Sequence, residues 1–433
     1  MEKLSKKDFR HMSVMIFGLF FGAGNLIFPP FLGKEAGTNS LISLFFFSFT
    51  AIIFPVLGII AVSKFDGIKK LSNMVGPLFA LIFTTAIYIT IGPGLAIPRN
   101  ATVSFEIAMT PFITNVQYMI YFRIAYTLIF FGVVYYLSMK PSKLVTTLGK
   151  ILTPTLLILI VVMFIGVVIN PFNPSMPVGD YVTGPAVKGF LEGYNTMDTL
   201  GALNYGIVIA FTIRNLGIKD EKNVTEITMK TGTVSSIILL IVYGMLTYIG
   251  AATANLFPNT KTGAEILVNV VKMNYGIFGS LILGGIFIIA CLSVAIGLTT
   301  SISQYFNEIY PKISYRSWVI LYTVVSFILA IFGLENILKY SIPILLSIYP
   351  VSLVLILLGL FSEYFGNSKM VFKSTIYVTA IFSIGMVLNG LINNVLDPVF
   401  NLLPFNGVSL GWVLPSMLAF VISVILHKVK KNG

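Results

Sequence analysis

The chain has 433 residues, of which 56% are hydrophobic and only 10% are charged. A soluble domain uses about 25% charged residues to cover its surface, so this composition argues against a soluble protein and predicts one embedded in lipid. The formal net charge of +12 does not indicate nucleic-acid binding, because Lys and Arg are concentrated in alternate loops between apolar segments.

Twelve apolar segments are long enough to cross a bilayer, which takes about 20 residues of helix. In chain order they are residues 12–32, 41–62, 78–98, 119–139, 148–169, 187–213, 234–254, 277–305, 318–332, 337–361, 375–394 and 410–426. The stretches between them are too short for a soluble domain. We therefore expect a single transmembrane domain over residues 1–433.

The positive charges predict the orientation of these spans. Of the 28 Lys and Arg residues, 21 fall at the termini or in loops on the N-terminal side, and seven, including Arg99, fall on the other side. Cytoplasmic loops carry the excess of Lys and Arg. We therefore expect both termini to be cytoplasmic and the protein to be multi-pass.

The first segment has glycines and an amide near the middle of the bilayer, at Gly18, Gly22, Gly24 and Asn25. Glycine weakens a helix by about 1 kcal/mol relative to alanine, and backbone freed there must face protein or a cavity. The pattern predicts an interrupted helix. Close helix packing is the alternative, since Gly18 and Gly22 form a GxxxG pair.

The sixth segment carries polar residues from Glu192 to Thr199, with Asp198 in mid-span. An Asp at a helix centre costs about 2.5 kcal/mol or more, so such acids usually face a cavity or a partner. This predicts a second interruption. The alternatives are a helix-capping role for Asp198, with a half-helix beginning at Thr199, and a place among the outer headgroups for Glu192.

Each interruption opens a block of five predicted spans, and two spans are left over. A block with an odd number of spans inverts its second copy, as in inverted-repeat transporters. We therefore expect an all-α polytopic protein with repeats over about residues 12–169 and 187–361 and extra helices over about 375–426. Half-helix ends suit an amino acid, because one end attracts a carboxylate and the other a cation.

The eighth segment contains three consecutive hydroxyl residues, Thr299, Thr300 and Ser301, after Gly297. Hydroxyl and carbonyl oxygens are ligands for small hard cations. The cluster therefore indicates a cation site. The alternative is that each hydroxyl donates to the carbonyl four residues earlier in its own helix.

Three runs resemble a known family: FFGAGNLIFPP at residues 20–30, AIPRNATVSFE at 96–106 and EGYNTMD at 192–198. They are similar to the bacterial branched-chain amino acid:cation symporters, the LIVCS family of BrnQ type. The resemblance implies a leucine-transporter-like fold of the amino acid-polyamine-organocation superfamily, with broken first and sixth helices. It also implies import of leucine, isoleucine or valine across the bacterial cytoplasmic membrane with Na⁺ or H⁺, and no other cofactor.

The resemblance also implies two binding sites. The substrate site would comprise Phe20, Gly22, Ala23, Gly24, Asn25, Thr196, Met197, Asp198 and Thr199. The Na⁺ site would comprise Gly18, Phe21, Ile296, Thr299 and Thr300. An apolar pocket for the branched side chain would draw on Tyr88, Ile91, Met197 and Leu200, while the roles of Arg99 and Glu106 stay open.

The sequence lacks the residues that an enzyme would require. The only histidines, His11 and His427, lie at predicted helix ends, Cys291 has no nearby His, and there is no HExxH, GxSxG or GxxxxGK[ST] motif. These features argue against an enzyme. A channel would need rings of identical groups. The alternatives left open are a symporter for another small amino acid or a nucleobase, and an ion channel.

Overall fold

The computed structural model describes residues 4–113, 115–169, 174–393 and 395–432. In these ranges the chain is helical and has no strands. Nine of the helical stretches described are long and apolar enough to cross a membrane, and a bent pair makes a tenth. A polytopic all-α fold is therefore confirmed, whereas twelve spans and an inverted repeat stay predictions. The predicted end of the eleventh span, Asn394, lies outside the described residues.

The first span is broken, as the sequence predicts. Helix α1 (Lys6–Phe20) ends where Phe21 turns to an extended conformation, and helix α2 (Ala23–Ala36) begins after Gly22. The Asn25 side chain holds the break open, because its amide oxygen accepts a hydrogen bond of 2.9 Å from the Gly22 N–H. That bond replaces one that a continuous helix would make within its backbone.

The second and third spans follow. Helix α3 (Ser40–Ser48) continues through a π-helical turn into α4 (Phe54–Lys64), and a short α5 (Ile68–Asn73) leads to the third span.

The third span, α6 (Pro77–Ile89) and α7 (Ala96–Ala108), differs from the prediction in two ways. It is interrupted at Gly92, whose backbone angles are not helical, beside Pro93, which has no N–H to donate. It also runs to Ala108 rather than to residue 98. Arg99 is therefore buried within a helix instead of lying in an outer loop. Without it, 21 Lys and Arg residues lie on the N-terminal side of the predicted spans and six lie on the other side.

Helix α8 (Met119–Ser138) forms the fourth span, and a π-helical stretch leads into α9 (Thr153–Val168). After the short α10 (Asp180–Thr183) comes the second predicted break. Helices α11 (Pro185–Tyr194) and α12 (Asp198–Asn215) meet at a bend of 40°. Met197 has the left-handed φ of 67° between them, so the helix cannot continue there.

The remaining helices complete the bundle. They are α13 (Glu221–Thr253), α14 (Gly263–Ile309), α15 (Tyr315–Ile331), α16 (Leu334–Leu360), α17 (Lys369–Leu391), the short α18 (Asp397–Phe400) and α19 (Val413–Asn432). Helix α14 is kinked at Gly276, which has a φ of 56°. Helix α13 packs closely on α2, where a methyl group at Gly250 would overlap the carbonyl oxygen of Pro30. Such small-residue contacts bring helices together in lipid.

Candidate functional site

The two breaks face each other and are joined by side chains. The Asn25 amide donates a hydrogen bond of 2.6 Å to the Asp198 carboxyl group. The Tyr243 hydroxyl from α13 donates to the same carboxyl oxygen at 3.1 Å and accepts a hydrogen bond from Asn25. Asn25 and Asp198 are 1% and 4% exposed. Neutral donors from two helices therefore hold Asp198 at the start of α12.

Asn100 of α7 contacts the first break from the other side. Its amide oxygen accepts a hydrogen bond of 3.1 Å from the Ala23 N–H, and its amide nitrogen donates to the Ala96 carbonyl at 2.7 Å. The third span thus supplies an acceptor to one of the N–H groups at the buried N-terminal end of α2, which have no partner within the helix. The sequence analysis gave Asn100 no role, although it lies in one of the three motif runs.

Hydrogen bonds also organise the second break. The Thr196 hydroxyl donates to the Gly193 carbonyl at 2.9 Å. The Thr199 hydroxyl donates to the Thr50 carbonyl at 3.0 Å and accepts from the Tyr349 hydroxyl at 2.9 Å. The hydrogen bonds of the Thr199 hydroxyl therefore join α12 to the second and tenth spans.

A small chamber of about 20 Å³ lies between the breaks. This is room for about one water molecule, so the chamber is narrow in this conformation. Among the predicted substrate residues, those that line it are Phe20, Gly22, Ala23, Asn25, Thr196, Met197 and Asp198. Gly24 and Thr199 are outside the lining, although both are adjacent to it in sequence.

One wall of the chamber is apolar. Ile91 and Met197 from the predicted side-chain pocket line it, together with Leu19, Val294 and Leu298. Tyr88 and Leu200 do not. The Phe20 ring packs edge-on against Tyr205, with ring centroids 5.5 Å apart.

Arg99 brings a positive charge to the same chamber. Its side chain extends from α7 toward the second break, where one guanidinium nitrogen donates a long hydrogen bond of 3.4 Å to the Asn195 carbonyl. The Nε atom is buried and has no partner. Glu106, farther along α7, does not line the chamber.

One of the predicted cation residues, Gly18, lies near a further hydroxyl that the sequence analysis missed. The Thr299 hydroxyl is buried without a hydrogen-bond partner, and neither Thr299 nor Thr300 makes the bond to its own helix that was the alternative. Thr153, at the start of α9, also has a buried hydroxyl without a partner. A Cβ at Gly18 would overlap that oxygen and lie 3.3 Å from the Thr153 Cβ.

A larger cavity of about 700 Å³ opens on the side of the molecule that carries Lys69 and Lys70. It reaches Tyr88 and Tyr305, whose rings are stacked with centroids 4.1 Å apart. Tyr88 lies about one helical turn before Ile91 of the chamber lining. The stacked pair therefore lines the large cavity about one turn away from a residue of the small chamber.

An all-helical membrane protein with a buried chamber between two broken helices has the architecture of a membrane transporter.

Sequence comparisons give the family. The chain belongs to the branched-chain amino acid transport protein family, whose model matches residues 5–430. Its relatives include the branched-chain amino acid permease BraB of Bacillus subtilis, 38% identical over 428 residues that cover 98% of this chain and 96% of the relative.

The branched-chain amino acid transport system 2 carrier protein of Pseudomonas aeruginosa is 36% identical over 99% of this chain and 98% of its own length. The branched-chain amino acid permease BrnQ of Escherichia coli is 32% identical over 98% of this chain and 96% of its own length. These relatives are named permeases and carriers, so the protein is a transporter and not an enzyme.

Proposed function

We propose that this protein imports leucine, isoleucine and valine across the bacterial cytoplasmic membrane by symport with Na⁺. The observation that carries the proposal is the Asn25–Asp198 hydrogen bond, which joins two interrupted helices at a buried chamber. Relatives over nearly the whole chain are named for branched-chain amino acids, which supports the substrate class.

The substrate would bind between the breaks, at the residues Phe20, Gly22, Ala23, Gly24, Asn25, Thr196, Met197, Asp198 and Thr199. Most of these line the chamber, and Thr199 would act by fixing α12. The apolar wall at Ile91, Val294 and Leu298 suits a branched aliphatic side chain. Because one methylene is worth only about 1 to 3 kcal/mol, the three substrates should compete with one another.

The cation would bind at Gly18, Phe21, Ile296, Thr299 and Thr300, with Thr153 as an additional ligand. The buried hydroxyls of Thr299 and Thr153, which have no partner, support this, since a buried polar atom needs a partner and hydroxyl oxygens suit Na⁺. These residues join α1 and α9 to α14. Cation binding would fix α1 beside its break and so raise substrate affinity, and the substrate would raise cation affinity by the same factor.

The charge asymmetry supports an orientation with both termini in the cytoplasm. The large cavity would then open to the cytoplasm, and the conformation described here would be closed to the outside. Substrate would leave the chamber past Tyr88 and Tyr305 once their stacked rings separate. Alternating access requires such a step on each side of the site.

Uptake of labelled leucine into liposomes that contain the purified protein tests the proposal. An inward Na⁺ gradient should drive accumulation without a proton gradient, and unlabelled isoleucine and valine should inhibit it. Accumulation driven only by protons would move the coupling role to an acid such as Asp198. No leucine uptake under either gradient would refute the function, and inhibition by alanine or uracil alone would indicate another substrate class.

A further inference from the structure

Arg99 is a buried charge with too few partners. Its side chain is 7% exposed, and a guanidinium has five N–H donors. Yet the structure gives it one hydrogen bond of 3.4 Å, and its Nε is unpartnered. In the described part of the chain it forms no ion pair. A buried charge in this position normally requires an anion or several strong acceptors.

Asp198 is the complementary group in the same chamber. Its carboxyl group receives hydrogen bonds from the neutral side chains Asn25 and Tyr243 and has no cationic partner within ion-pair distance in the residues described. Arg99 and Asp198 therefore line one small cavity, and neither forms an ion pair with the other. The chamber presents a guanidinium and a carboxyl group to whatever enters it.

The guanidinium of Arg99 packs directly against the first break. A Cβ at Gly24 would lie 2.9 Å from the guanidinium nitrogen Nη2 and 3.3 Å from the Asn195 carbonyl oxygen. Gly24 is in the first turn of α2, where the helix dipole also attracts negative charge. Two independent positive influences thus act on the same side of the chamber.

We propose that Arg99 binds the carboxylate of the amino acid substrate, while Asp198 faces its ammonium group. This inference rests on the proposed function and assigns a residue for one end of the substrate. The planar fork of an arginine matches a carboxylate with two parallel hydrogen bonds. A substrate carboxylate would also supply the strong acceptor that this buried arginine lacks.

Binding of leucine and leucinamide to the purified full-length protein tests this, because leucinamide keeps the side chain and the ammonium but lacks the carboxylate. Affinities are measured by displacement of labelled leucine at saturating Na⁺ and at a pH where both amines are protonated. The wild type should prefer leucine by at least about thirtyfold, the size expected for a buried charge pair. Arg99→Gln and Arg99→Met should bring the two affinities to within about threefold.

Two controls make the result specific. Arg99→Met replaces the charge with an apolar chain of similar length and so should fold if Arg99→Gln does not. Arg123→Gln removes another arginine, which lies over the Phe105 ring and outside the chamber lining, and should leave both affinities unchanged.

Equal weakening of leucine and leucinamide in the Arg99 variants would mean a merely structural role and would overturn the inference. Equal affinity of the wild type for the two ligands would overturn it as well. A wild-type protein that bound no leucine would instead contradict the proposed function, and the inference would fail with it.

Discussion

The side-chain amide of Asn25 donates a hydrogen bond of 2.6 Å to the carboxyl group of Asp198, although 173 positions of sequence separate them. Asn25 also accepts the Gly22 N–H, so one side chain both stabilises the first break and ties it to the second. This one side chain therefore links the two broken helices directly.

Asn25→Leu should lower the affinity for leucine about tenfold or more. The substitution keeps the branched shape of the side chain but leaves Asp198 without its shortest hydrogen bond, and leaving a buried polar group unsatisfied costs about 1 to 3 kcal/mol. Tyr243→Phe removes the 3.1 Å donor to Asp198 and one acceptor of Asn25, but it keeps the Asn25–Asp198 hydrogen bond and the ring against Phe21, so its effect should be smaller. Equilibrium binding of labelled leucine measures both, and a larger effect of Tyr243→Phe would contradict this order.

The double variant Thr299→Ala and Thr300→Ala should weaken leucine affinity and Na⁺ dependence together, because the proposed coupling is reciprocal. Thr153→Val keeps the shape of the side chain without its hydroxyl and should raise the Na⁺ concentration for half-maximal uptake about fivefold. Thr153→Ser keeps the hydroxyl and should leave this Na⁺ concentration unchanged. Thr155→Ala, two residues along α9 at an exposed position, serves as the control. Unchanged Na⁺ dependence in the double variant would show that the cation binds elsewhere.

Cysteine labelling tests the proposed orientation of the large cavity. In a Cys291→Ala background, Ala210→Cys lines the cavity and should react with a membrane-impermeant maleimide only from the cytoplasmic side. Met176→Cys, on the opposite side and 76% exposed, should react only from outside. Labelling of Ala210→Cys from outside alone would reverse the topology.

Asp66 should stabilise the protein in a pH-dependent way. Its hydrogen bond to Lys70 and, after that, its contact with Arg214 lower the pKa of Asp66 below 3.8. A lowered native pKa contributes stability above the unfolded value, and this contribution is lost as the pH falls through the native pKa. Asp66→Asn should therefore lower the thermal unfolding midpoint at pH 7, and the difference should shrink below pH 3.8. A difference independent of pH would contradict this.

The contact between α2 and α13 should tolerate no added methyl group at Gly250. Gly250→Ala would overlap the Pro30 carbonyl oxygen, and such overpacking typically costs about 1 to 3 kcal/mol. Its thermal unfolding midpoint should fall by several degrees. Gly244→Ala is the matched control in the same helix, because nothing lies within 4 Å of the added carbon there. Equal midpoints for the two variants would show that the helices can separate without loss.

The sequence alone predicted the lipid environment, the helical class and both interrupted helices, since these follow from composition and from local chemistry. Glycines near Gly24 weaken a helix, and Asp198 needs a partner in hydrocarbon, whatever the rest of the chain does. The third interruption also had a local signal in Gly92 and Pro93, which the sequence analysis did not use.

Only the tertiary structure decided which distant groups meet. It joined Asn25 to Asp198, buried Arg99 beside them and brought the Thr153 hydroxyl to Gly18. Hydropathy sets how much of each segment lies in lipid, but the rotation and neighbours of a helix depend on packing against other helices. A pattern within one segment therefore could not predict which residues of a helix face the chamber.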